Sequence, residues 1–542
     1  MIAGLAPAFL ALALALLVGP ARAEVTTGDP ELDPIFSAYV EGGKGDRLEA
    51  LDALAATGRE DVETLLEGIL EREIALHEPT GEIVRAEKRG RSYALVGLLD
   101  DGSRGEAGRR DVERLKVDNA IRSHLRDLIA SLGLESADPA KRLVASRALL
   151  SSPERIERER LEGLLEAEAD PDVAAALGAV RARQLIASAD PLERREGIET
   201  LAEDLSADGR RAIAGIAGAE EGAGYDPETV ALAATAMVSQ ERRVAFYEAL
   251  ETVFFGLSLG SVLVLAAIGL AVTFGVMGVI NMAHGELIML GAYTVWALQR
   301  LLPESPSTAL LLSIPAAFAF TALVGAAMER GVIRHLHGRP LETLLATFGI
   351  SLILQQAVRT FVSPRNVPVA NPPFLQGSIE VNAVLSLTLN RLWILAFCLM
   401  VFAALLLVLK RSRFGLEMRA VAQNRQMARA MGVRSARVDS LTFALGAGVA
   451  GLAGVALSQL TNVGPNLGQA YIVDSFMVVV FGGVGSLWGT FVGGMTLGVV
   501  NKLMEPWAGA ILAKVVVLVG LILFIQRRPR GLFPQRGRAA EA

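Results

Sequence analysis

Residues 251–302 read ETVFFGLSLGSVLVLAAIGLAVTFGVMGVINMAHGELIMLGAYTVWALQRLL. Two apolar stretches, 251–279 and 284–302, flank the polar cluster Asn281-Met282-Ala283-His284-Gly285-Glu286. Bilayer hydrocarbon is about 30 Å thick and takes about 20 apolar residues in helical form, so both stretches are of membrane-crossing length. Similar segments follow near 308–328, 341–363, 392–409, 438–460, 474–503 and 507–526, and they predict a polytopic helical domain over 250–530. The stretch 474–503 is long enough for two short crossings or a re-entrant hairpin, which gives about eight to nine membrane segments in all.

Outward from this region the chain changes character. Its 542 residues are 52% hydrophobic and 20% charged, with a mean hydropathy of +0.42. Residues 1–250 carry 30 Lys and Arg against 47 Asp and Glu, net −17, whereas 251–542 carry 22 against 11, net +11. An acidic, water-soluble half joined to an apolar half with a basic remainder excludes a single soluble enzyme, a basic nucleic-acid binder and a disordered chain. It fits a protein in contact with membrane lipid. The lone Cys398 excludes an intrachain disulfide and a cysteine metal cluster. His335 and His337 lie beside Arg334 and Arg339, surroundings of solvated side chains rather than metal ligands. The sequence contains no GxxxxGK[ST] loop, so the chain does not itself hydrolyse nucleotide through one, and neither cofactor nor metal is expected.

Lysine and arginine orient the segments, because cytoplasmic loops are enriched in them. Arg330, Arg334 and Arg339 mark one such loop, the run from Lys410 to Arg437 a second, and Arg527, Arg528, Arg530, Arg536 and Arg538 a cytoplasmic C-terminal end with a tail at 531–542. Residues 303–308 and 362–390 are poor in both and face outside. Parity then puts residue 250 outside as well. Independently, residues 8–18 form an apolar h-region, and Ala21-Arg22-Ala23 gives a small-x-small cleavage signature, which predicts a signal peptide over 1–23. The alternative is an uncleaved anchor over Ile2–Val18. Both export residues 24–245, and the whole suits a multi-pass protein of a bacterial inner membrane with a periplasmic N-terminal domain.

That exported part reads as short amphipathic helices. Asp138-Pro139, Asp170-Pro171, Asp190-Pro191 and Asp226-Pro227 each precede an Ala/Leu/Val-rich run. Aspartate at the N-cap and proline at the first helical position start a helix, since proline has no N–H to leave unpaired. The expected fold class is therefore all-α, a HEAT-like stack of helices before a transmembrane helical domain, with 81–110 as a charged, glycine-containing loop. Carboxylates alternate with arginine over Glu154–Arg160, which reads as a solvated, ion-paired face suited to docking rather than an acid/base site.

Three features of the membrane half carry chemistry. The first is Asn281, His284 and Glu286, because ionisable groups within a bilayer line a path or break a helix; the plainer alternative is a cytoplasmic turn. The second is the segment Gly415–Gly432, an amphipathic cytoplasmic helix with small residues at Ala420 and Ala428, of the kind that docks into another protein's cleft or lies on anionic lipid. The third is Asp474, at an outer mouth ahead of Gly482-Gly483-Val484-Gly485. Glycines and alanines repeat every four residues at Gly256/Gly260, Gly446/Ala450/Gly454 and Gly485/Gly489/Gly493, a spacing that marks close helix contacts in lipid.

Taken together, Gly275–Glu286 with Met289–Tyr293, the loop Gly415–Gly432 and Val480–Ser486 resemble the permease family that imports branched-chain amino acids and urea through ATP-driven (ABC) transporters. The resemblance covers about residues 250–530. It implies a non-enzymatic subunit that works with a second permease subunit, two ATPase subunits and a periplasmic substrate-binding protein. It also implies that Gly415, Glu417, Ala420, Asn424, Ala428 and Gly432 belong to the coupling helix that receives ATPase motion. The exported extension, Arg339–Leu345, Gln355-Gln356 and Tyr471–Ser475 look like the urea branch, so urea is the expected substrate, with branched-chain amino acids as the alternative. Thr347, Ser351 and Gln355, polar residues in an apolar helix, join Asn281, His284, Glu286 and Asp474 as candidates to line the translocation path. A membrane receptor with an exported sensor lacks a cytoplasmic output domain here. An intramembrane enzyme would have to rely on His284 and Glu286.

Overall fold

The computed structural model describes residues 25–533, apart from 60, 90–91, 101, 151 and 220–223; the expected signal peptide lies outside the described residues. The chain divides into two compact units, Met1–Glu241 and Arg242–Ala542.

The first unit is not all helix, which corrects the expectation. Helices α1 (Asp33–Glu41), α2 (Lys44–Ala56) and α3 (Val62–Leu70) lead into strands β1 (Ile74–His77), β2 (Glu82–Arg89), β3 (Ser92–Gly97), β4 (Ser103–Gly108) and β5 (Val112–Arg114). These form one antiparallel sheet in the order β4-β3-β2-β1-β5. Residues 81–110, read as a loop for their charge and glycines, supply β2 to β4. Their apolar residues alternate as a strand demands. Ile74, Leu76 and Ile83 turn to the helices, and Ala75, Val84, Ala86 and Leu95 pack on the other face.

Beyond the sheet comes α4 (Asn119–Gly133), which packs on the same core as the first three helices, and then α5 (Pro139–Leu149), α6 (Arg158–Ala167), α7 (Pro171–Ile186), α8 (Pro191–Leu201) and α9 (Ala207–Ala217), gathered on a second apolar core. Each Asp-Pro pair starts a helix. Asp138, Asp170 and Asp190 accept from the backbone N–H groups of Ala140, of Asp172 and Val173, and of Leu192. Asp226 accepts from Thr229 at the start of α10 (Pro227–Met277), a 51-residue helix within which the division between the units falls.

The second unit contains the rest of α10, then α11 (His284–Leu301), α12 (Pro306–Gly331), α13 (Pro340–Phe361), a short hairpin β6 (Ser378–Glu380) and β7 (Ser386–Thr388), and α14 (Leu389–Arg411). It ends with α15 (Arg413–Gln423), α16 (Arg425–Ala430), α17 (Ser435–Ser458), α18 (Leu467–Gly482) and α19 (Leu487–Arg527). Six of the described helices (α10, α12, α13, α14, α17 and α19) are long and apolar enough to cross a membrane. That is below the expected eight to nine. α11 carries His284, Glu286 and Arg300 within 18 residues, α18 has only 16, and α19 counts once although Gly509 (φ 72°, ψ 161°) breaks it behind Pro506.

Glycines set the packing. α11 meets α17 at Gly291 and Gly451, α10 meets α17 at Gly269 and Gly446, and α10 meets α19 at Gly260 and Gly498, each backbone against backbone where a Cβ would collide. In lipid there is no hydrophobic exclusion to hold helices together, so such approach supplies the attraction. The run Gly482-Gly483-Val484-Gly485 folds the 474–503 stretch into two legs. Gly483 (φ 103°) and Gly485 (φ 76°) take the left-handed backbone of the turn, and Gly482 lies against Gly489 across the legs.

Candidate functional site

One end of the second unit collects its basic segments. Gly275 near the end of α10 packs on Gly485, and the turn in turn takes the C-terminal strand of chain, with Leu532 and Phe533 donating to the carbonyls of Phe481 and Gly482. Arg330 at the end of α12 donates to Ser440 of α17 (3.2 Å). At the opposite end, Val367 and Val463 exchange backbone hydrogen bonds, Gln299 pairs with Ala370 and Arg359 with Asn466. α12, α13, α14 and α17 each run from one of these ends to the other, whereas α19, broken at Gly509, starts and finishes at the basic end.

α11 starts elsewhere. Its first residue is not at the basic end but halfway along the unit. His284 Nε2 lies 2.8 Å from the carbonyl of Ala266, eleven residues before α10 ends. Glu286 Oε1 accepts from Ser351 Oγ (2.9 Å) and Gln355 Nε2 (2.7 Å), eleven and fifteen residues into α13. Residues 279–282 therefore run back into the interior outside the helical hydrogen bonding that ends at Gly278 and resumes at Ala283. Non-helical backbone at membrane depth persists only where protein or a water-filled cavity satisfies it. Here Thr347 Oγ1 accepts from Met282 N–H (3.1 Å) and Asn281 Oδ1 from Ala283 N–H (3.0 Å). The polar cluster is thus an interior break and not a surface turn.

The two sides of this site have opposite logic. α13 turns its polar residues inward: Thr343, Thr347, Ser351 and Gln355, one per helical turn, are buried, while Leu341 and Ile353 on the other side are 81% and 68% exposed. A helix that buries its polar face and exposes its apolar one is built for hydrocarbon surroundings. Opposite it, Glu286 sits in the first turn of α11, where the helix dipole favours a carboxylate. Gly285 lets this helix start touch Gly468 at the start of α18.

Two acceptors in the site are unspent. The Ala266 carbonyl can only accept, so His284 Nε2 carries the proton and Nδ1 presents a lone pair. That Nδ1 and Glu286 Oε2 are buried without a hydrogen-bond partner among the described residues. Buried acceptors of this kind cost free energy until a donor reaches them. His284 and Glu286 make no hydrogen bond to each other.

The structure thus brings together five of the seven path candidates (Asn281, Glu286, Thr347, Ser351 and Gln355), while His284, two residues before Glu286, turns to Ala266 of α10. Asp474 stands apart. It is bound by Lys514 of the last helix (3.1 Å) and makes no hydrogen bond to the Glu286 group among the described residues. Lys514 had no role in the sequence reading.

The segment expected in the cytoplasm is also rearranged. Gly415–Gly432 is two helices, not one: Asn424 (φ −153°, ψ 98°) ends α15 and caps α16 by accepting from Met427 N–H (2.9 Å). Gly432 (φ 86°) closes α16, with Val433 donating back to Ala428. Gly415 and Ala428, expected on the docking face, are buried; Ala420 is half-buried, and Glu417, Asn424 and Gly432 are exposed. The free face instead shows Leu416, Met427 and Met431, at 62%, 61% and 79% exposure. Arg425 fixes α16 to α17 through a two-pronged bond to Asp439 (2.6 and 2.9 Å), with His337 3.6 Å away. The sequence reading missed Asp439, although it is the one acid between Glu417 and Asp474, amid arginines.

Comparison with known proteins bears on the second unit. The family model described as branched-chain amino acid transport system, permease component, matches residues 252–526. The chain is similar to the high-affinity branched-chain amino acid transport system permease protein LivH of Salmonella typhimurium, with 33% identity over 294 residues, 52% of this chain and 94% of that protein. It is similar to BraD of Pseudomonas aeruginosa, of the same description, at 32% over 295 residues, 53% of this chain and 96% of that one. A probable LivH of Methanocaldococcus jannaschii is 25% identical over 290 residues, 50% of this chain and 88% of its own. No solved structure matches.

Proposed function

The chain belongs to the family of permease components of branched-chain amino acid transport systems, and on that premise we propose that it is the membrane-spanning subunit of an ATP-driven importer of branched-chain amino acids. In this reading a binding protein delivers substrate from outside, ATPase subunits close beneath the α15–α16 segment, and alternating access moves the substrate past Glu286. The observation that supports it is the helix start at mid-depth. In transporters a broken helix places its terminus at the substrate, near the bilayer midplane. Here the break carries two unspent acceptors, Glu286 Oε2 and His284 Nδ1, which call for N–H donors. An amino acid's ammonium supplies such a donor to Glu286 Oε2.

Urea supplies N–H donors too, and was the substrate expected from the sequence. The names of the similar proteins favour amino acids over it. One observation keeps urea as the second reading: the match begins at residue 252, so the whole first unit precedes it, and an exported extension is what suggested the urea branch.

The test is uptake of labelled leucine and of labelled urea in a strain lacking the chromosomal gene, complemented with the wild type or Glu286→Gln. Glutamine keeps an oxygen for Ser351 and Gln355 but loses the charge. Leucine uptake by the wild type, reduced at least about tenfold in the variant, is expected, since a hydrogen bond to a charged group is worth about 1.5–3 kcal/mol. Wild-type uptake of urea and not leucine would select the second reading, and uptake of neither would remove both.

A further inference from the structure

Apart from the Glu286 group, a cavity of about 270 Å³ opens between the ends of α10 and α14, the helix α15 and the turn before α19. Leu406, Leu409, Met418 and Trp488 give it apolar walls, and the contact of Gly275 with Gly485 closes its floor. Two cations, Lys410 and Arg419, line it as well. Both are exposed and neither makes an ion pair among the described residues, though Arg419 donates to the carbonyl of Leu409. Trp488, at the rim, is 50% exposed.

This combination narrows the occupant. A free anion would leave the apolar walls wet, and an apolar protein segment would leave two cations uncompensated. An ammonium-bearing substrate would be repelled. An anionic amphiphile satisfies both halves. The cavity lies where α14, a helix of membrane-crossing length, ends in Lys410 and Arg411, which is headgroup level, and a half-exposed tryptophan belongs at that level too. We propose that the cavity seats one anionic phospholipid, with acyl chain between Leu406 and Met418 and phosphate against Lys410 and Arg419. Because Met418 and Arg419 belong to α15, the lipid braces the segment at which the coupling helix is expected.

Trp488 provides the probe. In full-length protein with Trp296, Trp393 and Trp507 changed to Phe, Trp488 is the remaining tryptophan. Its fluorescence is followed in nanodiscs containing increasing fractions of brominated phosphatidylglycerol or brominated phosphatidylcholine. Quenching is expected at a lower fraction of the anionic lipid, by about fivefold for each cation, from about 1 kcal/mol per basic residue near a charged lipid surface. Lys410→Gln with Arg419→Gln is expected to abolish the preference, and Arg419→Lys to retain it, which separates loss of charge from misfolding. Equal quenching by the two lipids, or none, overturns the proposal and leaves the cavity to solvent or another subunit. Loss of the preference on adding inorganic phosphate, with phosphatidylcholine quenching unchanged, overturns it in favour of a free anion; persistence of the preference supports the lipid.

Discussion

Single carboxylates in the first unit tie its stability to pH. Glu168 is gripped by Arg142 through two 2.8 Å bonds, and the backbone N–H groups of Ala169 and Asp170 add two more. The Arg142 guanidinium above all holds the Glu168 carboxyl at about 2, against an ordinary 4.5. Asp226 is likewise held below its usual range, by the Thr229 hydroxyl first and by Arg195. A depressed carboxylate pKa stabilises the fold fully above the unfolded value and ceases to do so as pH falls through the folded one. Protection from hydrogen exchange in α5 and α7 is therefore expected to weaken between about pH 4.5 and 2. Glu168→Gln should start weaker at neutral pH and change less over that interval. An unchanged pH response in the variant would show that the pair does not carry the effect.

Helices of the second unit are held by bare backbone, and that makes individual glycines unequal. A side chain at Gly482 would enter the carbonyl of Gly489 on the facing leg, whereas Gly349, within α13, has nothing within 4 Å of its Cβ position. Gly482→Leu is expected to cost more than the roughly 1–3 kcal/mol of ordinary overpacking, because backbone cannot rotate away. Gly349→Ala is expected to be neutral or stabilising by about 0.5–1 kcal/mol. Thermal melting of the purified protein in detergent distinguishes the two, and similar melts would refute the assignment. The four-residue glycine spacing made these contacts legible in the sequence, though not their partners. Helix starts at Asp-Pro were legible as well, since cap chemistry is local. The sheet was not: Ile83, Val84 and Ala86 alternate over too few residues, amid Glu and Arg, to stand out from a loop. Nor was the break at Asn424, because the residues on either side of it suit a helix.

For the molecule as a whole, the remaining question is which end faces the cytoplasm. From the arginine counts, α15, α16 and the C-terminal end are expected inside and the β6–β7 hairpin outside. Cys398 is the one native thiol and is fully buried, so it is silent to reagents in water. Ser378→Cys and Ala430→Cys are both exposed positions. In intact spheroplasts an impermeant maleimide is expected to label the first and not the second, with both labelled after lysis. The reverse pattern would invert the importer. Thr347, Ser351 and Gln355 were recognisable as path candidates because polar residues stand out in an apolar helix. The meeting of Ser351 and Gln355 with Glu286 was not, since it depends on α11 starting halfway along its neighbours, which no local pattern encodes.

That late start constrains how the protein is made. When the ribosome has just produced His284–Leu301, the groups that will receive it (Ser351 and Gln355 of α13, Gly451 of α17 and Gly468 of α18) have not yet been translated. A short segment bearing a glutamate and a histidine has no stable place in lipid by itself. It must therefore wait at the translocon or the interface and slot in after its later neighbours arrive, so nascent chains released before Gly468 should leave it undocked and open to quality-control proteases.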